Sequence, residues 1–299
     1  IFINMQCIKK LWKRDERTMK QFAILGYPLG HSLSPQLHKM LAEELGKELS
    51  YHVFEISPEE FDQKKALLFS LDGFNITIPY KVRIMDSLDE LDQSAKNHGA
   101  VNTVSIKNGL SGKTKTGFNT DCVGFVKTME QNGVSLSGRV CLLGAGGVGR
   151  MFATECALRG CEVVIAVRQK SMKEAQELAE HIHDISGAKV SVADIDTLGQ
   201  GDTGRFQLLI NATPVGMYPK TEASPVKEEF LSCVDTVFDC IYNPKETLLM
   251  KQANKAGCKT IGGMGMLVWQ AVAAQEIWFG KKFTFEQVSR VIEAMQNLL

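Results

Sequence analysis

The chain has 299 residues, 44% of them apolar and 23% charged, with 34 Lys and Arg balancing 34 Asp and Glu. That length suits two cores rather than one, and zero net charge gives no electrostatic reason for a nucleic acid or an anionic membrane as partner. The nearest thing to a membrane span, residues 264–277, is too short to cross a bilayer, so a small-molecule partner is expected.

In chain order, the first twenty residues carry Lys9, Lys10, Lys13, Arg14, Arg17 and Lys20 against Asp15 and Glu16. Their apolar part precedes the charges, the reverse of a secretory signal, so a solvated extension is expected, with Met5 and Met19 both candidate starts. Residues 21–25 read as a strand. Ser34 has the form of a helix N-cap with Pro35 at the first helical position. Leu37, Met40, Leu41 and Leu45 then form a helical stripe closed by Gly46. A strand follows over 49–56, and Ser57-Pro58 repeats the cap-plus-proline device. Residues 74–78 predict a third strand and 86–97 a polar helix. The segment from 101 to 106, with Asn108-Gly109 after it, predicts a hairpin.

A second unit begins near Asn119 with a helix over 121–131 that ends at Asn132-Gly133. Buried strands are expected at 139–143, 162–167, 206–211 and 236–239, and a last strand at 259–261. Helices over 265–279 and 284–298 should pack back on the first unit. The expected fold is α/β. Residues 1–118 and 263–299 form a domain with a mixed sheet, and residues 119–262 a Rossmann-type doubly wound parallel sheet.

Between the first two strands of that second unit lies Gly144-Ala145-Gly146-Gly147-Val148-Gly149. Glycines at this spacing allow a tight turn, close backbone approach to a pyrophosphate and close helix–strand packing. The helix that follows offers free N–H groups to phosphate; a purely structural turn is the alternative. At the end of the second strand an NAD site usually carries Asp or Glu. This chain has Arg168 and Lys170 there, which suit a 2′-phosphate and hence NADP.

Other residues are candidates for chemistry. Ser32 and Ser34 sit in a loop that opens onto a helix and suit a hydroxylated or carboxylated ligand as well as capping. Thr77, read as buried in an apolar strand, and Asn102 each need hydrogen-bond partners. Lys81 is either a surface lysine or a positioned acid/base. Asp121 is either a helix N-terminal carboxylate favoured by the dipole or the lysine's partner. Beside a nicotinamide, a Lys/Asp pair is a proton-transfer device, which points to a carbonyl/alcohol oxidoreductase. The eight cysteines occur singly, with no metal-ligand or redox spacing, as expected of reduced thiols in a cytoplasmic protein. No metal is expected.

Taken together, the ordered segments from about residue 22 to 299 resemble the shikimate dehydrogenase family. The carriers are Gly26-Tyr27-Pro28 through His31-Ser32-Leu33-Ser34-Pro35 with His38, Asn75-Ile76-Thr77-Ile78-Pro79-Tyr80-Lys81, and Gly99-Ala100-Val101-Asn102-Thr103. Gly117-Phe118-Asn119-Thr120-Asp121, Asn211-Ala212-Thr213-Pro214-Val215-Gly216-Met217, residues 239–244 and residues 263–270 complete them. The resemblance implies reversible NADPH-dependent reduction of 3-dehydroshikimate to shikimate, in the pathway to chorismate and the aromatic amino acids. It implies Lys81 and Asp121 as catalytic residues, Ser32 and Ser34 on the ring carboxylate, and Thr77, Asn102 and Gln270 on the ring hydroxyls. Tyr242 would line the same cleft, and Thr213 and Gly263 would meet the cofactor. A monomer or homodimer is expected.

Two departures stand out. Lys39 follows His38 where the family commonly has Asn, and Val167-Arg168-Gln169 stands for Asn-Arg-Thr. The alternatives are a quinate/shikimate enzyme with NAD or dual cofactor use, and a catalytically silent metabolite-binding regulator on the same scaffold. Retention of both Lys81 and Asp121 speaks against the second. His38 and Arg150 favour the dedicated shikimate branch.

Overall fold

A computed structural model describes residues 19–299 apart from 31, 110–111 and 201–203, so the basic N-terminal segment, His31 and the hairpin tip lie outside the described residues. The first sheet is built from β1 (Lys20–Gly26), α1 (Ser34–Glu44), β2 (Leu49–Glu55), α2 (Phe61–Leu68), β3 (Gly73–Ile76), β4 (Glu90–Leu91), α3 (Gln93–His98), β5 (Thr103–Gly109) and β6 (Gly112–Phe118). Its strand order is β2-β1-β3-β5-β6-β4. Strand β1 runs parallel to β2 and β3, and the β5–β6 hairpin pairs antiparallel with β3. The expected mixed sheet is present. Alternation along β1 explains its two faces. Ala23 and Leu25 join Phe74, Ile76 and Val104 under Phe61 and Leu68 of α2, while Phe22 points the other way and stacks on Trp278, with ring centroids 4.2 Å apart.

Several local expectations change. The N-cap of α1 is Leu33, not Ser34, and it makes no side-chain cap bond. Instead the Ser32 hydroxyl accepts the Ser34 N–H at 3.3 Å, which leaves the Ser34 hydroxyl free of capping. Helix α2 starts at Phe61 with Glu60 as its N-cap, because Ser57 and Glu60 close a separate turn ahead of it through a 3.1 Å backbone bond. The third strand stops at Ile76. Residues 86–97 are not one helix. A 3-10 turn over Arg83–Ser87 gives way to β4, which finds parallel partners in β6. Asp92 then caps α3 by accepting the Ser94 N–H at 2.9 Å. Sheet-edge hydrogen bonds there outweigh local helix preference.

The second sheet follows α4 (Thr120–Gln131). It contains β7 (Arg139–Leu143), α5 (Gly147–Leu158), β8 (Glu162–Val167), α6 (Met172–Ser186), β9 (Val190–Asp194), β10 (Phe206–Asn211), β11 (Val234–Asp239), α7 (Leu248–Lys255) and β12 (Lys259–Gly262). All six strands are parallel, in the order β12-β11-β10-β7-β8-β9. This is the doubly wound order, with its switch point between β7 and β10. Strand β9, half polar and at the edge, carried no clear sequence signal. Both faces are covered, as a parallel sheet requires. Val140, Leu142, Val163 and Ile165 face one core with Phe152 of α5, and Cys141, Leu143, Val164 and Ala166 face the other with Leu249 of α7.

The last two helices, α8 (Met264–Phe279) and α9 (Phe285–Gln296), share a core with Leu37 and Leu41 of α1. Two buried bonds tie α8 to the first sheet's unit: Trp278 Nε1 donates to Val104 O at 3.0 Å, and Gln275 Nε2 to His38 O at 2.6 Å. On its other side α8 meets α4 at close range. A Cβ on Gly124 would stand 2.8 Å from the Met266 carbonyl oxygen, so a glycine is required there. Among the described residues, no helix is long and apolar enough to cross a membrane.

Candidate active site

Lys81 is held by its neighbours rather than by a regular element. After β3 ends, the Thr77 N–H donates to Leu25 O at 2.8 Å and the Tyr80 N–H to Thr77 O at 3.0 Å, which closes a turn. Tyr80 is fully buried, stacked on Phe61 with centroids 4.6 Å apart, and its hydroxyl donates to Ile56 O. The Lys81 carbonyl accepts the Val101 N–H at 2.8 Å. A long flexible side chain thus rises from an anchored backbone. Asp121 lies in the first turn of α4, where the helix dipole favours a carboxylate. The Asn119 side chain caps that helix by accepting the Asp121 N–H at 3.1 Å.

Forty residues apart in sequence, the two side chains meet. Lys81 Nζ donates to Asp121 Oδ2 at 2.7 Å, with the side chains 32% and 18% exposed. Asn102 Nδ2 donates to the other carboxylate oxygen at 2.8 Å. The pair opens into a cleft of about 390 Å³ lined by Ser32, Ser34, Thr77, Lys81, Asn102 and Asp121, and also by Val148, Tyr242, Gly263 and Gln270. Sequence reasoning singled out every one of these residues. Thr77 differs from expectation in burial. It lies past the end of β3, half-buried, beside an Ile78 that is 72% exposed. The buried polar side chain of that strand is Asn75, which also lines the cleft and was missed as a site residue. A lone amide between Phe74 and Ile76 was the available signal. His38 is not in the cleft. It is buried on α1 under Tyr51, and burial pushes its imidazole down to about 3, so it is a neutral core residue.

The glycine loop lies at the switch point of the second sheet. Gly144, at φ 93°, follows β7, and a Cβ there would stand 3.0 Å from Thr213 Cγ2 after β10. Gly149 needs its missing side chain, because a Cβ would lie 2.3 Å from Gly144 O. Gly146 is the N-cap of α5, and at Gly146 and Gly147 the space beyond is open, as a loop that cradles a pyrophosphate requires. Ala145 stands half-buried between them and the strand. Arg168 and Lys170 are exposed just past β8, and Gln169 Nε2 donates to Asp194. These residues fit a dinucleotide with a phosphorylated ribose. Outside the cleft, His98, Cys122 and Glu155 bring potential ligand atoms within 4.8 Å of one another. His98 Nε2 is already on Glu155 at 3.2 Å, and the Cys122 thiol donates to Asn119 O.

A doubly wound sheet with an open glycine loop, facing a polar cleft that holds a Lys–Asp pair, defines a nicotinamide-dependent oxidoreductase architecture. Comparison with known proteins narrows this class. The sequence model of the shikimate dehydrogenase substrate binding domain matches residues 24–104. A protein of Methanocaldococcus jannaschii named shikimate dehydrogenase (NADP(+)) is 38% identical over 94% of this chain and 96% of its own length. One of Shouchella clausii with the same name is 36% identical over 91% of this chain and 98% of its own length. A crystal structure of a shikimate dehydrogenase in complex with NADP+ superposes with a TM-score of 0.79 at 36% identity, covering 93% of this chain and 96% of that one. The Listeria monocytogenes shikimate 5-dehydrogenase structure, in complex with shikimate and NAD, gives 0.83 at 29% identity over 96% of this chain and 99% of that one. The chain belongs to the shikimate dehydrogenase family.

Proposed function

We propose that this protein catalyses the reversible, NADPH-dependent reduction of 3-dehydroshikimate to shikimate. The observation that carries the reading is the 2.7 Å Lys81–Asp121 pair, set in a cleft that Val148 of the glycine-loop helix also lines. Residues 1–118 and 263–299 would hold the substrate and residues 119–262 the cofactor. Ser32 and Ser34 would donate to the ring carboxylate, and Thr77, Asn102 and Gln270 would bond the ring hydroxyls with Tyr242 alongside. The loop Gly144, Ala145, Gly146, Gly147 and Val148 would receive the pyrophosphate, Gly144 as its tight turn with its own N–H on Ala166 O and the others through their main-chain N–H groups; Arg168 and Lys170 would take the 2′-phosphate, and Thr213 and Gly263 the rest of the cofactor. When bound, the cofactor supplies the hydride that reaches the ring carbonyl carbon. Lys81 then gives the carbonyl oxygen its proton and takes it back in the reverse direction, while Asp121 holds the ammonium in place. Ser32 and Ser34 at one end and Asn102 at the other orient the ring between these groups.

A second reading, acceptance of NAD beside NADP, is favoured by one observation: the Gln169 amide next to Arg168 is turned to the Asp194 carboxylate, which takes one of its donors. One experiment tests both. Purified protein is incubated with shikimate or quinate and with NADP or NAD, and absorbance is followed at the reduced-nicotinamide band. Rapid reduction of NADP with shikimate is expected. No reduction in any combination would remove the enzymatic reading, and equal rates with NAD would remove the NADP preference.

A further inference from the structure

We infer that Thr120, with Thr103 and Asn75 behind it, is a positioning residue for Asp121, acting through a one-directional hydrogen-bond chain that starts at Tyr51. This deepens the reading of the cleft given above and rests on it. The chain is continuous. The Tyr51 hydroxyl donates to Asn75 Oδ1 at 2.7 Å, and Asn75 Nδ2 donates to Thr103 Oγ1 at 3.0 Å. Thr103 Oγ1 and Thr120 Oγ1 are 3.0 Å apart. Thr120 Oγ1 donates to Asn102 Oδ1 at 3.1 Å, and Asn102 Nδ2 to Asp121 Oδ1 at 2.8 Å. Asn75, Asn102, Thr103 and Thr120 are each no more than 5% exposed, so water does not substitute for a lost link.

Direction follows from the chemistry of each group. Asn75 Nδ2 is a donor only, and it faces a carbonyl, Asn102 O at 3.5 Å, as well as Thr103. Thr103 Oγ1 therefore accepts from Asn75, and its own hydrogen goes to Thr120 Oγ1. The Thr120 hydroxyl, now accepting, turns its hydrogen to Asn102 Oδ1. That oxygen also accepts the Thr120 backbone N–H at 2.7 Å, an unambiguous donor. Two donors on Oδ1 leave only Nδ2 to face Asp121. The Asn102 amide cannot flip without placing its NH₂ group against them. The Thr120 hydroxyl, directed by Thr103, thus joins the Thr120 backbone N–H in holding the Asn102 amide with its Nδ2 toward the carboxylate that pairs with Lys81, although neither threonine lines the cleft.

The test is a double-mutant cycle on the full-length protein with shikimate and NADP. Thr120→Val keeps shape and removes the hydroxyl. It should lower kcat about tenfold, the rate equivalent of one lost positioning bond, with KM for shikimate within about twofold. Thr120→Ser should return kcat to within about twofold of the unaltered protein. Thr103→Val should lower kcat in the same way, and the double Val variant should be no slower than Thr120→Val alone, since links of one chain do not add. Unchanged kcat in Thr120→Val, additive losses, or a loss that Ser does not restore would each overturn the proposal. If Thr120→Val fails to fold, Thr103→Val with its Thr103→Ser counterpart decides by the same criteria. A crystal structure of either Val variant gives a readout that needs no turnover. Asn102 turned or split in orientation supports the chain, and Asn102 unmoved against Asp121 overturns it. Absence of activity in the unaltered protein would count against the functional reading alone, and the crystal structure would still decide the chain.

Discussion

At the scale of single residues, a lysine and an aspartate become a functional pair only through their surroundings. Replacing Lys81 with Ala removes the proton donor and leaves the cleft walls intact. Steady-state kinetics should show kcat lower by at least about a hundredfold, with a smaller change in shikimate KM. Asp121→Asn should behave alike, because an amide keeps the shape but carries no charge to hold the Lys81 ammonium. Near-normal turnover in either folded variant would remove that residue from the mechanism. Arg168, exposed at the end of β8, is the residue placed to choose between cofactors. Arg168→Ala should raise KM for NADP about tenfold or more, one charge-assisted contact of roughly 1.5–3 kcal/mol, and leave NAD kinetics nearly unchanged. An equal rise for both cofactors would show that Arg168 does not read the phosphate.

At the scale of elements, two features test the packing. Helices α4 and α8 touch through Gly124, whose missing side chain admits the Met266 carbonyl and the Gln270 backbone. Gly124→Ala should cost about 1–3 kcal/mol in urea unfolding, because the contact atoms are backbone and cannot swing aside. It should also raise shikimate KM by displacing Gln270 along with α8. Unchanged stability and KM would mean that the helices slide freely. The end of β11 holds the second feature. Burial pushes Asp239 up to about 6, against bonds from Thr247, the Ile241 N–H and Asn211 that act in the opposite direction. A carboxyl whose folded pKa lies above its unfolded value binds more protons when folded. Its contribution is fully present below about pH 4 and is lost as pH rises through 6, a cost on the order of 3 kcal/mol at neutral pH. Asp239→Asn should therefore flatten the fall in stability between pH 4 and 6. The amide can donate to Thr247 while its oxygen keeps the other two bonds. An unchanged pH dependence would point to another group.

At the scale of the whole molecule, the cleft draws on both sheets and on α8, so ligands that fill it should stabilise the fold as a unit. NADP at a hundred times its dissociation constant should add about 2.7 kcal/mol, visible as a raised Tm. That rise should persist in Lys81→Ala, since Lys81 belongs to the other unit, and should shrink in Arg168→Ala at the same NADP concentration. Loss of the NADP effect in Lys81→Ala would show that the cofactor reaches further into the first unit than the glycine loop implies.

Much of this was legible in the chain itself. The parallel strands announced themselves as apolar runs because both faces of their sheet are covered, and Gly144 to Gly149 announced a tight turn because only glycine tolerates its approaches. Lys81, Asp121, Asn102 and Gln270 were legible as members of ordered segments. Their meeting was not, since nothing local encodes a 2.7 Å contact across forty residues. Where short-range signals compete with sheet pairing, they misled. Residues 86–97 looked helical until β6 offered β4 its backbone partners, and Ser34 looked like a cap until Ser32 took that bond. Asn75 rather than Thr77 proved to be the buried polar group of β3, because strand ends are set by the neighbouring strands. The sequence by itself determined most of the element types, the plan of two sheets and most of the chemical inventory of the site, but not β4, β9 or Asn75. Tertiary structure alone decided which hydroxyl bonds which amide, because those bonds join residues from separate strands and a helix brought together only by packing.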